Sequence, residues 1–117
     1  MRTIAKSIFN PSKEYWEDYL KKYFGSDYVM VSSFSLQATH LVVFAHIHIT
    51  PLMSNIQSNC IATGIGDMLG NKGAVGISFN LGNTSILCIS CHLAAGQEAV
   101  ERRNQDWIKI YKYLALN

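Results

Sequence analysis

The residues best suited to chemistry lie between Cys60 and Asn104. Gly64, Gly66 and Gly70 precede Asn71-Lys72-Gly73, and glycines so placed give a backbone positive-φ freedom and close approach to a ligand. Lys72 adds the one strong positive charge of that loop, so the segment suits an anion. The same glycines equally suit a loop that only turns the chain. Further on, Ser85 to His92 reads as a strand and a helix begins near Gln97-Glu98. His92 therefore stands at a strand's carboxyl end, just before a helix N-terminus whose free N–H groups and dipole favour negative charge.

Two other constellations carry less. Cys88 and Cys91 have the two-residue spacing of redox and zinc motifs, but in a strand residues three apart point to opposite faces. Two small buried thiols in a β-rich core is the simpler reading. His46 and His48, two apart on a predicted strand, share one face and could form half a metal site. No acidic or cysteine pair at a recognised spacing completes it, so they read as polar positions on a solvent face.

Composition limits what these residues can serve. The 117 residues are 49% apolar and 15% charged, an ordinary globular mixture for one domain or part of one. The formal charge of +2 is spread without a basic stripe, which argues against nucleic acid as partner. Three cysteines, an odd number, and an amino-terminal stretch with no apolar leader core fit a reduced, cytoplasmic setting. The strongest apolar run, Leu41 to Ala45, is far short of the roughly 18 residues that a spanning helix needs.

The elements that must position the loop and the histidine follow from local pattern. Asn10-Pro11 caps a helix ended by Gly25, with Tyr15, Trp16, Tyr19, Leu20, Tyr23 and Phe24 on one aromatic stripe expected to pack on a sheet. Tyr28 to Val31 and His40 to Ile49 read as an antiparallel pair joined by Ser32 to Gln37. Ser54 to Asn59 is a polar connector into the strand Cys60 to Thr63. Ala74 to His92 is a hairpin turning at Leu81-Gly82-Asn83-Thr84, with Gly82 suited to the first central position of a type II′ turn. Its first strand alternates Val75, Ile77, Phe79 and Leu81 with small residues, and its return strand is apolar on both faces, as expected of an interior strand. The last helix carries Val100, Asn104, Trp107, Ile108, Tyr111 and Leu114 on one stripe.

Taken together, Thr63-Gly64, Gly70 to Val75, the hairpin, Ser90 to Gln97 and Glu101 to Asp106 resemble the central part of an inositol polyphosphate 5-phosphatase of the synaptojanin type. The likeness is strongest from Cys60 to Leu114 and collinear but weaker from Tyr28 to Ile49. It implies an α/β (α+β) class: a partial DNase I-like endonuclease/exonuclease/phosphatase fold, mostly antiparallel β-sheet flanked by helices, with residues 1–117 as part of one catalytic domain. The activity it implies is Mg²⁺-dependent removal of the 5-phosphate from phosphoinositides or soluble inositol phosphates. By the same resemblance His92 touches the scissile phosphate, Asn71 and Lys72 hold a second phosphate, and the block Glu101 to Asp106 is helix that fixes the strand end.

The departures carry expectations too. In the family a glutamate on an early strand holds the Mg²⁺, and later Gly-Asp-x-Asn and Asp-Arg blocks orient the nucleophile. None of these is recognisable in the chain, so the ligands of the ion are expected to lie outside it. Phosphoryl transfer rests on positioned charge, of which the ion is normally the largest part. The chain then holds one wall of a 5-phosphatase site, with only peripheral contact to a membrane surface. A different class of reading remains: a non-catalytic remnant or interaction module with weak phosphoinositide binding, associating with missing domain portions or with itself.

Overall fold

The computed structural model describes residues 11–64 and 71–116. Asn10, the loop residues 65–70 with Asp67, and the amino-terminal stretch lie outside the described residues, so the cap and leader expectations are not addressed. The order of elements is α1 (Pro11–Phe24), β1 (Tyr28–Leu36), β2 (Thr39–His46), β3 (Met53–Ala62), β4 (Gly73–Leu81), β5 (Thr84–His92) and α2 (Val100–Tyr113). Two antiparallel sheets result, β1-β2 and β3-β4-β5.

Three boundaries differ from the sequence reading. The first hairpin turns at Gln37-Ala38, not over Ser32 to Gln37, and a register shift between Met30 and Ser32 absorbs one residue. Because Ser33 and Ser35 bond to α1 and β2 respectively, their polarity belongs to the strand and not to a loop. β2 ends at His46, so His48 lies in the following turn; the two rings stack at 4.9 Å through that turn. The polar segment Ser54 to Asn59 is strand, bulged between Ser54 and Gln57 with Asn55 at φ 51°.

β4 is the centre of the molecule, buried from Gly73 to Phe79. Its two faces divide as the alternation predicts. The small side meets α2: Ala74 packs with Ile110 and Leu114, joined by Ile61, Ile89, Leu93 and Leu116. A Cβ on Gly76 would come within 2.8 Å of Leu114 and 2.7 Å of Leu116, so this glycine is there to let helix and strand touch. On the other side Phe79 and Leu81 face Val43 and Phe44 of the first sheet across an apolar groove of about 280 Å³. Asn59 donates to the carbonyl of Leu114 at 2.7 Å, giving a partner to one of the groups a helix end leaves free.

β5 corrects the expectation of an interior strand. Among the described residues it is the edge of its sheet, with Leu87 half exposed. Ile86 lines the groove and Ile89 meets α2, which accounts for the two apolar faces, but neither neighbour covers the strand's whole length. Cys88 is accordingly half-buried and Cys91 exposed, not two buried thiols, and all three cysteines are free.

The aromatic stripe of α1 is also turned the other way. Tyr15 is 76% exposed and Trp16, Tyr19 and Tyr23 are at least half exposed, while Glu17 is the buried residue of the helix. Phe24 makes the expected contact, its ring tilted at 41° to that of Phe44 with centroids 4.9 Å apart. In α2 the buried positions are Asp106, Ile110 and, just past the helix, Leu114; Val100, Trp107, Ile108 and Tyr111 are exposed. No helix among the described residues is long and apolar enough to cross a membrane.

Candidate functional site

Three strand ends meet at one edge of the second sheet. Ala62 of β3 pairs with Gly73 of β4, and Gly73 pairs with His92 of β5, so the last residue of β5 sits beside the first of β4. Gly73 cannot carry a side chain there. At φ 150° a Cβ would lie 2.1 Å from the Ile61 carbonyl oxygen and 2.8 Å from Leu36, whose position also brings the tip of the β1-β2 hairpin to this end.

The loop that enters β4 is pinned at its base by the Thr63 N–H donating to the Lys72 carbonyl at 3.0 Å. Lys72 Nζ then lies 2.7 Å from His92 Nε2. An ammonium group only donates, so Nε2 accepts and the ring proton falls to Nδ1. The sequence-predicted pair, 20 positions apart, is thus brought into direct contact at the mouth of the sheet. Asn71 is an exposed turn residue immediately before Lys72. Two basic side chains converging at an exposed strand end form a place where an oxyanion can be held by a point charge and an imidazole.

The segment after His92 is fastened from α2. Asp106, 4% exposed, accepts the Ala94 N–H at 2.9 Å through Oδ2, and its Oδ1 lies 3.6 Å from Arg102 Nε. Arg103 donates to the carbonyls of Ala94 (3.2 Å), Gly96 (2.6 Å) and Gln97 (3.4 Å). The expectation that this block fixes the strand end is met at the level of named atoms.

A second polar cluster lies between α1 and the first hairpin and has no counterpart in the sequence reading. The Glu17 carboxylate accepts a short hydrogen bond from Ser33 Oγ and lies 3.2 Å from His40 Nε2 and 4.0 Å from Lys13 Nζ. His40 Nδ1 lies 2.8 Å from Ser35 Oγ and 3.1 Å from the Phe34 carbonyl. The Lys13/Glu17 spacing of four was legible; that it faces inward was not, since an i,i+4 ion pair is ordinarily a solvent-side feature.

No group of three histidine, cysteine or acidic side chains that could hold a metal ion occurs among the described residues. Asp67 is outside the described residues. His46 and His48 stack on each other without a third ligand among the described residues.

With fold and geometry in place, the relationships are direct. The model of endonuclease/exonuclease/phosphatase family 2 matches residues 1–117, and the chain belongs to that family. Within it the chain is similar to the inositol 5-phosphatases. It is 36% identical over 97 residues to phosphatidylinositol 3,4,5-trisphosphate 5-phosphatase 2A of Danio rerio, covering 83% of this chain and 8% of that protein. It is 35% identical over 115 residues to human synaptojanin-2, covering 94% and 8% respectively. The crystal structure of the inositol polyphosphate 5-phosphatase domain of spSynaptojanin, in complex with inositol (1,4)-bisphosphate and a calcium ion, superposes with a TM-score of 0.79 and 30% identity over 97% of this chain and 35% of that one. The chain thus spans about a third of a 5-phosphatase domain and less than a tenth of its curated relatives' length.

Proposed function

We propose that the chain forms the phosphate-binding wall of a 5-phosphatase that hydrolyses the 5-phosphate monoester of a phosphoinositide or a soluble inositol polyphosphate. The observation that carries the reading is the 2.7 Å approach of Lys72 Nζ to His92 Nε2 at the end of β4 and β5. An incoming inositol polyphosphate would part them. The lysine turns its charge to a second phosphate, and the imidazole, once protonated, donates to the scissile phosphate and can stabilise charge that grows on its oxygens in the transition state. Asn71 supplies an amide to the neighbouring phosphate.

In the complete domain the reaction is proposed to use Mg²⁺; the structural neighbour's divalent ion supports metal dependence. We expect the ligands of that ion to come from parts of the domain outside this chain. We place the protein in the cytoplasm, in peripheral contact with membranes. A second reading, a non-catalytic inositol phosphate-binding module, needs only Lys72 and His92, and their contact at 2.7 Å supports it.

Titration of the 117-residue chain with inositol (1,4)-bisphosphate tests the site, with phosphate release from a 5-phosphorylated inositol lipid assayed alongside. Saturable binding that His92→Ala and Lys72→Ala both weaken supports it. Binding that ignores both substitutions would sink it. The chain alone is expected to release no phosphate above background; Mg²⁺-dependent turnover abolished by His92→Ala would mean that the chain rebuilds a metal site.

A further inference from the structure

His92 is the last residue of an edge strand. Gly73 pairs with it on one side, and no strand among the described residues pairs with it on the other. Strand ends held by a single ladder fray, yet a histidine that meets a developing charge has to be placed within a fraction of an ångström. The placement of His92 therefore depends on how the next few residues are held. Both backbone groups of Ala94 are bonded, its N–H to Asp106 Oδ2 at 2.9 Å and its carbonyl to Arg103 Nη1 at 3.2 Å. The same guanidinium reaches the Gly96 and Gln97 carbonyls at 2.6 and 3.4 Å. Residues 103 and 106 are three apart and so lie on one face of α2, the face whose next turn is Ile110 in the core cluster.

We infer that Arg103 and Asp106 are positioning residues for His92: they clamp the chain two residues beyond it and so transmit the rigidity of the α2 core to the imidazole. This rests on the proposed phosphate wall for its functional meaning, but its geometry can be tested without any ligand. Asp106 is the sharper half. It is a nearly buried carboxylate one turn before the core residue Ile110, and burying such a group is costly without hydrogen-bond partners. Its Oδ2 is committed to one backbone N–H, an arrangement that packing alone would fill with an apolar residue. Arg103 is the adaptable half, since its planar fork spreads donors on two nitrogens over three carbonyls.

The experiment is NMR on the full 117-residue chain. In the unsubstituted protein a nuclear Overhauser contact is expected between the His92 ring and the Lys72 side chain, together with slow exchange of the Ala94 amide. Asp106→Ala should speed Ala94 exchange by about tenfold, the equivalent of one lost hydrogen bond, broaden the His92 ring signals and erase the contact to Lys72. Asp106→Asn keeps an oxygen acceptor and should restore all three. Arg103→Lys, at a half-exposed site, should fold normally and still loosen His92, because a single ammonium nitrogen cannot reach all the positions that two guanidinium nitrogens span. Lys112→Ala, exposed on the same helix, should change nothing.

If Asp106→Ala fails to fold, Arg103→Lys decides. Unaltered His92 signals and an unaltered Lys72 contact in folded Asp106→Ala or Arg103→Lys would overturn the inference and leave the block as a loop cap only. Adding inositol (1,4)-bisphosphate separates the two readings. Variants that loosen His92 in a protein that does not bind the ligand would leave the clamp standing and bring down the phosphate wall.

Discussion

At the scale of single residues, Lys72 and His92 touch but should not share a role. In a complete enzyme containing this segment, Lys72→Ala removes one charged hydrogen bond to substrate in both ground and transition state. The expected cost is about tenfold in KM with kcat nearly kept. His92→Ala removes a contact whose value grows as charge develops, so kcat should fall by on the order of a hundredfold or more. Steady-state kinetics of both variants checks the division, and equal effects on kcat would refute it. Cys60 gives a pH-dependent prediction. Burial raises its thiol above the ordinary range. A raised folded-state value means that the stabilisation is complete below the unfolded thiol's pKa and is lost as pH climbs through the folded one. Stability should therefore decline on the alkaline side, and less so in Cys60→Ala. Alkylation at mildly alkaline pH should modify exposed Cys91 well before Cys60.

At the scale of elements, the two hairpin glycines make a controlled comparison. Gly82 opens a two-residue turn at φ 56°, and a Cβ there would meet nothing within 4 Å. Gly82→Ala should cost about 1–2 kcal/mol, the strain of a left-handed residue. Gly73→Ala drives a methyl into backbone at 2.1 Å and should cost at least about 3 kcal/mol, or open the pairing of β3 and β4. Urea denaturation of both variants measures the difference, and equal losses would mean that β3 yields easily. The junction of α1 with the first hairpin depends on Glu17. Its removal leaves Ser33 Oγ without its acceptor and takes away the carboxylate beside His40, so Glu17→Ala should lower stability by about 1–3 kcal/mol.

For the whole molecule the issue is unpartnered apolar surface. Tyr15, Trp16 and Tyr19 on α1 and Trp107, Ile108 and Tyr111 on α2 are all about half exposed or more, Tyr111 at 80%. The groove between the sheets lies open beside Tyr28, Phe44, Ile49, Phe79 and Ile86. Exposed apolar side chains in this number, with a strand edge at β5 left unpaired among the described residues, ordinarily find a partner. The purified 117-residue chain is expected to self-associate in a concentration-dependent way. Sedimentation velocity across a dilution series, combined with a thermal melt, checks this; a monomer at every concentration with one sharp transition would show that the chain closes its own core.

Much of this protein was legible in one dimension. The helices at Pro11 and Val100, the hairpin through Gly82 and the pairing of an anion-suited loop with His92 follow from capping residues, period-2 alternation and glycine placement, all of which act over a few neighbouring residues. The family likeness of the Asn71-Lys72-Gly73 and His92 blocks was equally plain in the sequence. Tertiary structure alone decided which face of each element is covered. The aromatic residues of α1 look like a core stripe, yet Glu17 is the side chain turned inward, because Ser33 and His40 arrive from strands 16 and 23 positions later to give it partners. Likewise β5 has an interior strand's composition and, among the described residues, an edge strand's position, and Asp106 is buried beside the α2 core because it serves a backbone N–H 12 residues earlier. Local pattern sets the period of an element. What that element packs against depends on residues distant in the chain, and no spacing within the element records them.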